Sequence, residues 1–121
     1  MRPSSLGAAR VGKVMTTLSD AGYRAGRMSA SGQRRGKRID EQMIAGDIIA
    51  LSQIPTLPHL LIEVGGIGKR LGTAFEELRG SLAPGFVPLV VRFVARKRWH
   101  YVDEDSRFPS LAEALDALRE A

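Results

Sequence analysis

No cysteine occurs in the 121-residue chain, which excludes a disulfide scaffold and a thiolate zinc site and fits a reducing compartment. No apolar run approaches the roughly 20 residues that a membrane-spanning helix needs, so no membrane partner is expected. Histidine is scarce: His59 and His100 stand far apart and form no ligand cluster, and each reads as a strand residue without a chemical role. Aromatic residues make up only 6% of the chain. The start, MRPSSLGAARVGKV, lacks an apolar signal core, so an untargeted, soluble, cytoplasmic protein is expected. Acids are nearly missing from one end. Residues 1–38 hold nine Lys or Arg against Asp20 alone, net +8, whereas the remainder is net −3. A basic end on a weakly acidic body suits a surface that meets a polyanion, and a basic tail kept for solubility is the plain alternative.

What is present is enough for one core. Hydrophobic residues form 44% of the sequence, and the length suits a single domain over 1–121, with a basic part at 1–38 and no repeat or internal boundary. Val11, Val14, Met15 and Leu18 fall on one face of a helix over about 5–20, which Ala21-Gly22 ends. Tyr23 to Arg27 can form a short strand. The stretch 28–42 is polar, basic and glycine-punctuated, and reads as a loop. Gly46 to Leu51 and His59 to Val64 are short, aliphatic runs of the buried-strand kind. A helix over about 69–82 follows, with Leu71, Phe75, Leu78 and Leu82 inward and Ala83-Pro84-Gly85 as its stop. Val87 to Ala95 is the strongest strand signal. A turn at Arg96-Lys97 leads to an edge strand at Trp99 to Val102, where Trp99 and Tyr101 suit edge packing or a dimer contact better than base stacking. Ser110 and Glu113 form a capping box for a last helix, with Leu111, Leu115 and Leu118 inward. Three consecutive strands imply an antiparallel meander, and the helical crossover implies a parallel fourth strand. The expected fold is α/β, a mixed sheet flanked by helices.

Two acids stand at strand ends within this pattern. Asp47 opens AGDIIAL, and Glu63 lies inside HLLIEVGG. A hairpin of these strands would bring both carboxylates to one sheet position, beside the basic loop RMSASGQRRGKR. Two carboxylates next to a cationic loop are what a divalent cation and a phosphate backbone require. A carboxylate inside an apolar strand is costly unless it is paired, hydrogen-bonded or metal-bound. For Glu63 a structural pair with Arg27 or Lys69 is the rival. GGIGKR between strand and helix also suggests phosphate binding, but the Walker spacing fails, because Glu63 stands where its first glycine belongs and Arg70 follows the lysine.

The helix ending LSDAGYRAGR, the loop SASG with its following basic residues, GDIIAL, LLIEV and VPLVVRFVA together resemble the archaeal-type Holliday-junction resolvases, members of the PD-(D/E)XK nuclease superfamily, over about residues 4–102. The resemblance implies a restriction-endonuclease-like αβββαβ core and a Mg²⁺ (or Mn²⁺)-dependent endonuclease acting on branched or duplex DNA as a homodimer. It implies that Asp47, Glu63 and the carbonyl of Val64 hold the metal. It implies that Ser31 lies near the scissile phosphate, and that Arg27, Arg34, Arg35, Lys37 and Arg38 contact DNA. The sequence departs from the pattern twice. The motif lysine falls on Gly65, for which Lys69 is the candidate substitute; and the early helix glutamate is absent, its stretch being Arg10, Val11 and Gly12, with Glu76 or Glu77 as displaced carboxylates. A catalytically degenerate DNA-binding or assembly subunit is therefore the alternative to an active nuclease.

Overall fold

A computed structural model describes residues 3–27, 46–65 and 70–120, with side chains from residue 9 onward. Chain order is α1 (Pro3–Asp20), β1 (Tyr23–Arg27), β2 (Ile48–Ser52), β3 (His59–Gly65), α2 (Leu71–Arg79), β4 (Phe86–Val94), β5 (Lys97–Asp103), β6 (Ser106–Phe108) and α3 (Leu111–Glu120). The six strands lie in sequence order in one mixed sheet. Among the described strands only the β3–β4 pair is parallel, and there α2 carries the chain back across the sheet.

Alternation along the strands assigns the two faces. Leu60, Ile62, Leu89 and Val91 pack with Val14 and Leu18 of α1 and Leu111, Ala114 and Leu115 of α3. The intervening Leu61 and Val90 pack with Ala74, Phe75 and Leu78 of α2 on the other side. Both faces of β3 and β4 are covered, which explains why these strands read as continuous apolar runs rather than alternating ones. Fully burying one such aliphatic or aromatic side chain stabilises the fold by about 1.5–3 kcal/mol. Among the described residues, no helix is long and apolar enough to cross a membrane.

Several local expectations need correction. The helix expected to run to Leu82 stops at Arg79, where Gly80 donates its N–H to Glu76 O, before the Ala83-Pro84-Gly85 turn is reached. β5 is not an edge strand, since the three-residue β6 pairs along its outer side. The turn before β5 is Ala95-Arg96, with Ala95 in the left-handed region at φ 58°, so Lys97 already belongs to the strand. Ser110 Oγ accepts from the Glu113 N–H at 3.2 Å, but the Glu113 carboxylate takes the Ser110 hydroxyl rather than its backbone N–H, so half of the capping box forms.

The register defines two sheet ends. Arg27 pairs with Ile48, Gly65 with Arg92, and Val94 with Lys97, so the end of β1, the start of β2 and the ends of β3 and β4 lie together. The opposite end holds the turn that follows α1, the β2–β3 turn and the β5–β6 turn. There Tyr23 donates its hydroxyl to Pro58 O at 2.7 Å, and burial pushes the phenol up to about 12. Gln53 N–H donates to Gly22 O at 2.9 Å, so two turns are tied to each other.

Candidate functional site

Asp47 sits one residue before β2 rather than inside it. Gly46 makes that placement possible. Its φ of +111° is disfavoured for other residues, and a Cβ there would stand 3.2 Å from Leu61 Cδ1 and 3.3 Å from both Ile62 O and Leu78 Cδ2. The turn delivers Asp47 to β3 at two points. Its N–H donates to Ile62 O at 2.7 Å, although Ile48 is the ladder partner of Ile62. Its Oδ2 accepts from the Val64 N–H at 2.8 Å. Two residues facing one have the form of a β-bulge, a device that re-aims a side chain at a strand end. Glu63 lies between the two anchor points, and the Asp47 carboxylate is one peptide unit from the Glu63 Cα.

Strand geometry sets the rest. The N–H and C=O of a strand residue leave on the same side. The Val64 carbonyl is therefore directed to the flank where the Asp47 carboxylate lies. Alternation puts Glu63 and Gly65 on the α2 face with Leu61. Asp47, Glu63 and the Val64 carbonyl are all hard-oxygen donors, the kind that Mg²⁺ prefers alongside water. Among the described residues, no group of three or more His, Cys, Asp or Glu gathers in a metal-holding arrangement, so any cation here relies on this smaller set.

Gly65, where the motif lysine would stand, has no positive φ, and nothing described lies within 4 Å of a Cβ built on it. A side chain there meets none of the described residues. Its partner on β4 is Arg92, which alternation places on the same face and which is only 7% exposed. Reading the sequence for a lysine near the motif passes over Arg92. Its signal was a charge inside the apolar run VPLVVRFVA, as conspicuous there as Glu63 is in LLIEV.

The other candidates distribute as follows. Arg27 is exposed at the end of β1, on the Asp47 side of the sheet. Ser31, Arg34, Arg35, Lys37, Arg38 and Lys69 lie outside the described residues. Glu76 and Glu77 are exposed on α2. His59 is a structural acceptor, taking the Ser52 N–H on Nδ1 at 3.0 Å with its ring 5.0 Å from that of Phe86. His100 is buried at 3% exposure. Burial, set against its bond to Phe108 O and aided by the Arg98 charge, lowers it to about 4. Trp99 carries the Arg107 guanidinium 4.2 Å above its ring.

The fold and site define a three-layer α/β domain with an acidic pair at one sheet end. No family model and no curated protein matches the chain.

Proposed function

We propose that this chain is a DNA-directed, metal-dependent endonuclease domain of the restriction-endonuclease-like type, acting on branched (Holliday-junction) or duplex DNA. The observation that carries the reading is the double anchoring of Asp47 across Ile62 and Val64, which holds its carboxylate beside Glu63 at a strand end. The topology supports it: an αβββαβ succession with a parallel β3–β4 pair and helices on opposite faces is the arrangement that the resemblance implies. Asp47, Glu63 and the Val64 carbonyl would hold Mg²⁺ or Mn²⁺. A bound divalent cation polarises a phosphoryl oxygen and makes hydroxide available near neutral pH. The chain's own residues orient that chemistry: the Val64 N–H fixes one Asp47 oxygen, and Arg92 provides fixed positive charge next to the lysine position at Gly65. Arg27 and, outside the described residues, the basic loop with Ser31 and Lys69 would meet the phosphate backbone. Two equivalent copies suit a substrate with two equivalent strands.

Glycine at position 65, where the motif lysine would stand, favours a second reading, a DNA-binding or assembly subunit whose catalysis has lapsed. A cleavage and binding assay separates the two. Four-way junction, duplex and single-stranded DNA are incubated with Mg²⁺ or Mn²⁺ and the wild type or Asp47→Asn. Metal-dependent cutting abolished by Asp47→Asn is the expected result. Binding without cutting selects the second reading, and neither binding nor cutting contradicts a role on DNA.

A further inference from the structure

The β4–β5 hairpin and the N-terminal half of α1 enclose a pocket of about 400 Å³ lined by Ala9, Arg10, Lys13, Phe93, Ala95, Arg96 and Arg98. Four of those seven residues are cationic, and none is acidic. Arg10 and Arg98 both lie over the Phe93 ring, at 5.3 and 5.4 Å from its centroid, which holds two like charges on one aromatic group. Arg98 also donates to Thr17 Oγ1 at 3.0 Å. Among the described residues, none of the four cations pairs with a carboxylate. Gathering unpaired cations is unfavourable in the absence of an anion, and guanidinium forks match phosphate oxygens in geometry.

The position of the pocket indicates which anion. Val94 stands four residues beyond Val90, the β3-register partner of Glu63, so the hairpin projects about 13 Å past the carboxylates along the strand. This is about four nucleotides of rise along one strand of a duplex. The pocket lies on the α1 side of the sheet, whereas alternation puts Glu63 on the α2 side. A strand lying at the carboxylates and continuing over the sheet end reaches it.

The geometry points to a phosphodiester-binding site at Arg10, Lys13, Arg96 and Arg98, which holds the backbone of a nucleic-acid strand a few nucleotides away from the Asp47–Glu63 site. The inference rests on the proposed role on DNA and adds to it a second contact on the opposite sheet face. Lys13 and Arg96 are exposed, so their replacement leaves the core untouched.

Duplex affinity is measured across a salt series for the wild type, for Lys13→Ala with Arg96→Ala, and for Lys13→Arg with Arg96→Lys. Backbone-amide NMR with inorganic tripolyphosphate forms a second arm. The alanine pair is expected to reduce the slope of log K against log salt by about 1.8, two contacts at about 0.9 each, while the charge-preserving pair keeps the wild-type slope. Tripolyphosphate is expected to shift amides at Arg10 to Lys13 and Ala95 to Arg98 in the wild type and the charge-preserving pair but not in the alanine pair. Duplex binding with an unchanged slope in the alanine pair overturns the pocket and leaves the proposed function standing. Amide shifts with an unchanged slope overturn it too, by showing a small-anion site only. A wild type that binds neither duplex nor four-way-junction DNA sinks both.

Discussion

Acidic residues occur at both ends of the sheet, and the two groups behave differently. Asp103, Glu104 and Asp105 are consecutive in the β5–β6 turn, yet they do not converge. Asp103 Oδ1 caps the Asp105 N–H at 2.8 Å, while the Glu104 carboxylate lies over Gly72 of α2. Asp47 and Glu63 are 16 positions apart in sequence, yet a bulge and two hydrogen bonds bring them to neighbouring backbone. Their surroundings differ as well. The Asp47 end also carries Arg27, Arg92 and the hairpin cations Arg96 and Lys97. The turn end carries Asp20 and is tied together by Tyr23 and Gln53. Proximity in sequence made the dense acidic cluster, but strand pairing made the site. One end is tied to itself by hydrogen bonds between its turns, and the other gathers cations around two acids.

The comparison breaks first at Arg92. If its charge serves the Glu63 face, Arg92→Met should lower DNA cleavage by about 10²–10³, the typical loss on removing one transition-state donor. Single-turnover rates check this, with circular dichroism showing that the fold survives. Full activity would confine the chemistry to other cations.

His100 separates the stability of the whole fold from that of either end. Its pKa is lowered from 6.5 to about 4 by burial. Between those values the unfolded chain takes a proton that the folded chain refuses. Stability is therefore fully present above about 6.5 and falls as pH drops toward 4, by about 3 kcal/mol. Denaturation at pH 7 and pH 4.5 reads the loss, and imidazole NMR assigns it. A His100 ring titrating near 6.5 would contradict the buried neutral form.

Gly46 and Gly65, both at the site end, should part company. Gly46→Ala forces a left-handed alanine against Leu61, Ile62 O and Leu78, and should cost about 1–3 kcal/mol. Gly65→Ala meets nothing described and should leave stability unchanged or slightly raised. Thermal melts of both variants suffice, and equal losses would remove the special role of the Gly46 turn.

The smallest effect compares two exposed arginines on one strand. Arg27 lies at the site end and Arg24, paired with Leu51, toward the turn end. Arg27→Ala should lower the salt slope of duplex binding by about 0.9, and Arg24→Ala should not change it. Equal slopes would erase the distinction between the ends.

Much of the fold was legible from periodicity. The inward faces of the three described helices follow the spacing of Val14 and Leu18, of Phe75 and Leu78, and of Leu111 and Leu115. What could not be read is of three kinds. β6 is only Ser-Arg-Phe, too short for alternation to register, and without it β5 looks like an edge. The exact seat of Asp47 depends on the positive φ of Gly46, which a strand pattern absorbs without trace. The cation pocket joins Arg10 to Arg96 through packing of α1 on a distant hairpin, and no local motif announces it. Arg92 was visible as a charge in an apolar strand, but its meaning came only with the register that sets it beside Gly65.

Mn²⁺ titration followed by paramagnetic broadening of backbone amides tests the central claim most directly, because it makes the two acidic groups compete for one probe. The amides of Asp47, Glu63, Val64 and Gly65 should broaden first, and Asp47→Asn should abolish that broadening. First broadening at Asp103 to Asp105, or a pattern unchanged by Asp47→Asn, would contradict the assignment of the site to the Asp47 end.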